Sequence, residues 1–290
     1  MPEQATTVPA VRPRPRWGAL AIAGNTFREA VRDRVLYLVA AFGLLVVACG
    51  KVVGWVSVGE DIKVVRDVGL ASVSFFGAMI AIFVGTGLIQ REMGGKTIYT
   101  ILARPVARWQ FVAGKYLGLL LTVLVSAAAM SAVFLVYLVV VTRLAPGESV
   151  GGATPPPALA WPVFQSLLLT ACELAVVTAL AVLFSAVSTP ILSAVFTFFA
   201  YVAGQFASSV ADLADRLDPA RGGSSATGRY VLEVIYRVMP NLDAMNVRET
   251  AVAGLAVPGA QVAWTALYAG LYAGLVLTLA CALFERRNLP

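Results

Sequence analysis

The chain contains no histidine, few charged residues and few cysteines. None of its 290 residues is histidine, and only 13% are Asp, Glu, Lys or Arg, compared with about 25% in an average soluble domain. The absence of histidine excludes HExxH zinc sites, Ser-His catalytic pairs and histidine-ligated haem. The three cysteines, Cys49, Cys172 and Cys281, lie far apart inside apolar runs, which favours packing residues over disulfides or metal ligands. No other catalytic constellation is present, so we expect neither enzymatic activity nor a metal or cofactor bound by this chain.

The sequence is dominated by long apolar runs. Hydrophobic residues make up 59% of the chain, and they form blocks long enough to cross a bilayer as helices, which takes about 20 residues. We therefore predict an all-α integral membrane protein with one transmembrane domain over residues 17–290 and six spans. The predicted spans are residues 35–56, 70–90, 111–141, 161–187, 191–210 and 262–284. Residues 1–16 are rich in Pro and Arg without periodicity, which predicts a disordered basic N-terminus.

A helical pattern precedes the first span. In residues 17–34, the apolar side chains Trp17, Leu20, Phe27 and Val31 share one helical face. An Arg-rich amphipathic helix beside a span is typical of a helix that lies in the membrane interface. The alternative is a simple extension of the first span.

The basic residues indicate the orientation. A net charge of +6 could suggest nucleic-acid binding, but the basic residues lie at the ends of apolar runs. The N-terminal segment, residues 91–115 and the C-terminal tail together hold thirteen of the twenty-two Lys and Arg and five acidic residues. The opposite side has nine basic and ten acidic residues. Cytoplasmic loops of membrane proteins carry the excess of Lys and Arg, so both termini and residues 91–115 are predicted to be cytoplasmic. The expected surroundings are membrane lipid rather than nucleic acid.

Residues 91–115 resemble a phosphate-binding loop only superficially. Gly95, Lys96 and Thr97 match the end of the pattern GxxxxGK[ST], but Gln90 occupies the position of the first glycine. The segment also follows an apolar helix, whereas a phosphate-binding loop follows a strand. Nucleotide binding by this chain is therefore excluded.

The same segment predicts a docking helix. Thr97 is a suitable N-cap, and Ile98, Ile101 and Leu102 form an apolar stripe at helical spacing. The helix should end before Pro105, because a proline disfavours helical geometry in the residue before it. Pro105 is also suited to the first turn of the next helix, which continues into the third span. An apolar stripe on a cytoplasmic helix favours contact with a partner, and the alternative is a loop that only connects two spans.

These residues also fit a family signature. Glu92, Thr97-Ile98, Leu102, Pro105, Arg108 and Gly114-Lys115 reproduce the pattern ExxxxTIxxxLxxPxxRxxxxxGK. The pattern resembles the permease subunits of type-2 ABC transporters, particularly the group that includes the nitrous-oxide-reductase maturation permease. The block at residues 25–29, the six-span layout and residues 284–287 at the end of the chain extend the resemblance over nearly its whole length.

The resemblance implies a function and partners. It implies a permease in a bacterial plasma membrane that pairs with itself or with a similar permease. Export is the transport direction that the resemblance implies. Separate ABC ATPase subunits would bind ATP and Mg. The residues that would couple to the ATPase are Glu92, Thr97, Ile98, Ile101, Leu102, Pro105 and Arg108. The amphipathic helix would be a connecting helix, in which Arg28 or Arg32 could pair with Glu92. The alternative function is mechanotransmission without transport, which would drive a periplasmic partner.

One acidic residue lies deep inside a predicted span. Glu173 continues a polar stripe with Ser166 and Thr170 at positions i, i+4 and i+7 of the fourth span. An ionisable residue at this depth is a candidate functional site that faces the bundle interior. A protonated glutamic acid that holds neighbouring helices together by hydrogen bonds is the alternative, and the sequence leaves both open.

The sixth predicted span carries small residues at four-residue spacing. Ala266, Gly270 and Gly274 lie on one face, and such a face lets helices approach closely. We expect it to meet another span of the same subunit, and the alternative is a partner copy.

Overall fold

The computed structural model describes residues 18–54, 61–94, 108–144, 156–216 and 226–286. Within these ranges, 91% of the residues are helical and none lies in a strand, which confirms the predicted all-α class. The predicted disordered segment, residues 1–16, lies outside them. The helices are α1 (Gly18–Val31), α2 (Arg34–Gly54), α3 (Asp61–Gly94), α4 (Arg108–Leu144), α5 (Pro156–Val187), α6 (Pro190–Gln205), α7 (Ala207–Arg216), α8 (Ala226–Val238), α9 (Arg248–Val252) and α10 (Gly259–Arg286).

Four of the described helices are long and apolar enough to cross a membrane. The crossing stretches are Lys63–Gly87, Trp109–Val140, Trp161–Val187 and Gly259–Phe284. They correspond to the second, third, fourth and sixth predicted spans. Helices α6 and α7 bend by 59° relative to each other and form a fifth span if the pair is counted as one. The chain is therefore a multi-pass membrane protein.

The first predicted span coincides with α2. Its apolar stretch in the described residues, Leu36–Val46, is shorter than a full crossing. The count of six spans and the placement of both termini therefore stay predictions.

Helices α3 and α5 form the centre of the bundle. Of their apolar stretches, 67% and 61% are buried, compared with 28% in both α4 and α10. Ile80 of α3 and Val177 of α5 are fully buried, and Leu119 of α4 packs in the same core. Since apolar side chains on α4 and α10 remain uncovered by the rest of the chain, these two helices form the outer faces of the bundle.

The helix predicted within residues 17–34 is present as α1, and it packs directly against α4. A Cβ atom placed on Gly114 would come within 2.7 Å of the carbonyl oxygen of Ala19, and one on Gly118 within 2.5 Å of the carbonyl oxygen of Ala23. Only glycine fits at such short distances, and two glycines four residues apart let helices approach closely. The face of α1 that packs inward includes Thr26, which is fully buried.

The predicted apolar face of α1 is thus only partly the one that packs. Leu20 is exposed, and Phe27 is half-buried. The contact between α1 and α4 instead lies where the two glycines of α4 let the helices approach closely. A position of α1 in the membrane interface stays a prediction.

The expectation for the small residues of the last span was wrong. Cβ atoms on Gly270 and Gly274 would meet nothing within 4 Å in the described part of the chain, so this face points away from the other spans. The adjacent face of α10 packs inward instead, and it buries Ala269 and Ala273. Ala269 and Ala273 each directly precede one of the two glycines, and their methyl groups make the inward contact instead. Contact with a partner copy remains the open alternative.

Residues 239–258, which we call the cap, connect α8 to α10 across the ends of α3, α5 and α6. The amide nitrogen of Leu242 donates to the carbonyl oxygen of Gly204 at the end of α6, over 3.2 Å. Gln165 of α5 exchanges two hydrogen bonds with the backbone of Val257, at 2.8 and 3.0 Å. Arg66 of α3 donates to the carbonyl oxygen of Val252 over 3.2 Å. The cap is therefore fastened to three helices of the bundle.

Candidate functional site

A cavity of about 530 Å³ lies between α3, α5, α6 and the cap. Its size falls in the range of about 300–1,000 Å³ that is typical of small-molecule sites. Its lining contains both apolar and polar side chains. The polar lining residues are Ser74 of α3, Ser166 and Thr170 of α5, Tyr201 and Gln205 of α6, and Asn246 and Arg248 of the cap.

Glu173 lies behind this polar lining. Its side chain is 2% exposed, and two lining residues donate hydrogen bonds to it. The Ser74 hydroxyl lies 3.2 Å from Oε1 and 3.1 Å from Oε2, and Gln205 Nε2 lies 2.5 Å from Oε1. Both donors are neutral. The structure thus brings together all three residues of the predicted polar stripe, with Ser166 and Thr170 at the wall and Glu173 one layer deeper.

The hydroxyl groups of Ser166 and Thr170 are available to the cavity. Both side chains are nearly buried, at 3% and 8% exposure, and neither makes a hydrogen bond to another described residue. Thr178 on the same helix behaves differently, because its hydroxyl donates to the carbonyl oxygen of Leu174 over 2.7 Å. Such bonds to the preceding turn are the usual way in which a membrane helix satisfies Ser and Thr. Ser166 and Thr170 therefore keep their hydrogen-bonding capacity for a ligand.

Arg248 is the cationic residue of the lining, and it is paired. Its Nε atom lies 2.8 Å from Asp67 Oδ1, although its N–H bond does not point along this line, so the contact is an ion pair rather than a hydrogen bond. The two side chains are 34% and 49% exposed. Since Asp67 neutralises Arg248, the cavity does not present an unpaired positive charge.

Two exposed aromatic rings border the cavity. Phe75 of α3 is 44% exposed, and Phe206, at the bend between α6 and α7, is 59% exposed. Both residues belong to the lining. The two rings therefore give the cavity an aromatic border.

Sequence reasoning missed most of the partners of Glu173. Ser74 and Gln205 are 99 and 32 residues away in the sequence. No local pattern indicates that these residues meet. Arg66 was missed as well, because it lies outside the predicted second span. It is 1% exposed, and its Nε and Nη2 atoms have no hydrogen bond among the described residues.

The predicted coupling residues fall largely outside the described ranges. Five of them are not among the residues that the structure describes: Thr97, Ile98, Ile101, Leu102 and Pro105. Glu92 lies in the last turn of α3, and Arg108 is the first residue of α4. The helices on both sides of the coupling segment therefore run without a break into the bundle.

The two arginines of the predicted connecting helix are exposed. Arg28 lies in α1, and Arg32 lies in the turn that follows it.

In the described residues, no group of three Cys, Asp or Glu side chains is arranged to hold a metal ion.

Comparison with known proteins identifies the family. Residues 20–289 match the family model described as "ABC-2 family transporter protein". A search of curated proteins finds no match. The family match spans nearly all of the chain and every helix described above. This multi-pass helical protein therefore belongs to the ABC-2 family of transporter proteins.

Proposed function

We propose that the chain is the permease subunit of an ATP-driven transporter and that a separate ABC ATPase supplies the energy. The observation that carries this proposal is the family match over residues 20–289 in a multi-pass bundle with an internal cavity. ATP and Mg are bound by the ATPase, and this chain contributes no catalytic residue. Export across a bacterial plasma membrane by a pair of such permeases completes the proposal, and the nitrous-oxide-reductase maturation group is its proposed subfamily.

Helix α3 joins the proposed coupling segment to the cavity. Ser74 lines the cavity, and Glu92 lies on the same continuous helix, Asp61–Gly94. Eighteen residues of helix separate them, which is about 27 Å at 1.5 Å per residue. A helix transmits a displacement along its axis, so a movement of the ATPase at residues 92–108 would reach the cavity wall directly.

Helix α1 supports the same coupling from the side. It packs on α4 at Gly114 and Gly118, within the first three turns after Arg108, and it presents Arg28 to the surface. We propose an ion pair between Glu92 and either Arg28 or Arg32. The test is charge exchange: reversing Glu92 alone should uncouple ATP hydrolysis, and reversing its partner as well should restore coupling. If neither double reversal restores coupling, the pair is refuted.

Mechanotransmission is the second candidate function. The cap is fastened to α3, α5 and α6 by the contacts of Gln165, Arg66 and Leu242. A movement of α3 would therefore also reach a partner bound at the cap.

The two functions differ in what stimulates ATP hydrolysis. The permease and its ATPase would be purified together and reconstituted in lipid, and hydrolysis would be measured with candidate substrates. A transporter is expected to show hydrolysis that rises saturably with a substrate and falls in Thr170→Val, with Thr178→Val as the control on the same helix. Stimulation that no small molecule produces, but a protein partner bound at the cap does, would favour mechanotransmission.

A further inference from the structure

The hydrogen bonds of Glu173 determine which groups the cavity presents to a ligand. When Glu173 is ionised, its carboxylate only accepts hydrogen bonds. The single hydroxyl proton of Ser74 is then directed at Glu173, so the Ser74 oxygen keeps only acceptor capacity for the cavity. The Gln205 amide likewise points its nitrogen at Glu173, because the opposite orientation would place its oxygen against the carboxylate.

Gln205 therefore adds a second acceptor. Its Oε1 atom makes no hydrogen bond to another described residue, and Gln205 lines the cavity. Ser166 and Thr170 add hydroxyl oxygens that are not engaged elsewhere in the described chain. Ser74, Gln205, Ser166 and Thr170 thus offer acceptors in the part of the wall next to Glu173, whereas Tyr201, Asn246 and Arg248 add donors elsewhere in the lining. A ligand group that donates hydrogen bonds fits the part of the wall next to Glu173 best.

The charges around the cavity favour the same kind of ligand. Glu173 is 2% exposed, and its described hydrogen-bond donors are both neutral. The charge of Arg248 acts on Glu173 from a distance, but the direct ion pair of Arg248 is with Asp67, at 2.8 Å. A buried carboxylate is costly unless a positive charge approaches it. A cationic group in the cavity would supply this charge across one layer of side chains.

The apolar lining of the cavity indicates that the rest of the ligand is apolar. The exposed rings of Phe75 and Phe206 suit an alkyl or aromatic group, and aromatic faces also attract cations. We propose that the cavity binds an amphiphilic primary amine, with its ammonium group against Ser74, Gln205 and Thr170 and its apolar part between α3 and α6. Only the statement that this ligand is a substrate rests on the proposed function, because binding itself needs no ATPase.

The test measures binding to the purified chain in lipid nanodiscs by titration calorimetry. Octylammonium, 1-octanol and octanoate share one alkyl chain and differ in charge and in donor capacity. Octylammonium is expected to bind saturably, and octanol and octanoate are expected only to partition into the lipid. Glu173→Gln keeps the shape of the side chain and removes its charge. It should weaken octylammonium binding by about tenfold, because the attraction between two charges is screened only weakly inside the bundle even across one layer of side chains.

A second pair of variants keeps the test independent of folding effects at position 173. Ser74→Ala should also weaken octylammonium binding, whereas Ser72→Ala should not, because the Ser72 hydroxyl is engaged by the carbonyl oxygen of Val68 at 2.6 Å. Octylammonium binding that is unsaturable, or equal in wild type, Glu173→Gln and Ser74→Ala, would overturn the proposal. Saturable octanoate binding that is lost in Arg248→Gln would assign the cavity to anions instead. If the amine binds as expected but ATP hydrolysis does not respond to it, the transport role fails while the site stands.

Discussion

Replacing Gly118 with alanine would place a methyl group at the contact between α1 and α4. The added Cβ would lie 2.5 Å from the carbonyl oxygen of Ala23 and 2.6 Å from Cβ of Thr26. The first distance is about 0.9 Å short of the 3.4 Å at which ordinary van der Waals contact begins. The carbonyl oxygen belongs to the backbone of α1, so no side-chain rotation relieves the clash, and α1 must move away from α4.

The size of the effect follows from two opposing terms. Overpacking of this kind costs about 1–3 kcal/mol. A glycine-to-alanine change inside a helix also stabilises it by about 0.5–1 kcal/mol. Gly270→Ala is the matched control, because it gains the same helical term and meets nothing within 4 Å in the described chain. The difference between the two variants should therefore isolate the clash, at about 1–3 kcal/mol.

The assay is thermal unfolding of both variants in the same detergent, followed by circular dichroism. Gly118→Ala should lower the unfolding midpoint relative to Gly270→Ala, and Gly114→Ala should act in the same direction because its Cβ would lie 2.7 Å from the carbonyl oxygen of Ala19. Equal midpoints for Gly118→Ala and Gly270→Ala would refute the close packing of α1 on α4.

Two further predictions concern the cap. Gln165→Leu removes both hydrogen bonds to Val257 and leaves buried backbone groups unpaired, so it should lower the free energy of unfolding by about 2–5 kcal/mol. Hydrogen–deuterium exchange should show faster exchange of the amides in the cap. An unchanged exchange rate at Val257 would contradict the attachment of the cap through Gln165. Asp67→Asn breaks the partly exposed pair with Arg248 and should cost no more than about 1 kcal/mol, so a much larger loss of stability in the same unfolding assay would show that the pair is stronger than its exposure implies.

The helices themselves could be predicted from the sequence because each one is a local property. The apolar runs predicted six spans, and four of them are present as full-length apolar helices in the described residues. Periodicity and composition act within about 20 residues, which is the scale of one span. The bend of 59° between α6 and α7 falls at Phe206. Gly204 lies close by, but a glycine there is equally consistent with the close packing on Leu242 that the structure shows.

The contacts between helices were much harder to predict. Glu173 was found from its isolation in an apolar run, but its donors lie 99 and 32 residues away. Gly114 and Gly118 carried the same small-residue signal as Gly270 and Gly274, and only the structure shows that the first pair packs and the second does not. A small-residue pattern marks a helix that allows close approach, and it does not identify the neighbour.

The central claim is that residues 97–108 dock on a separate ATPase, and it is tested most directly by co-purification. The permease and a candidate ABC ATPase from the same genome would be expressed together, with the permease carrying the affinity tag. The ATPase should co-purify with the wild-type chain and be lost when Ile98 and Leu102 are both changed to serine. The proposed docking would bury both apolar side chains against the ATPase, and such burial is worth about 1.5–3 kcal/mol for each. Leu255→Ser, which changes an exposed apolar residue of the cap, should leave the association intact. An ATPase that fails to co-purify with the wild-type chain, or that stays bound to the Ile98/Leu102 variant, would contradict the account.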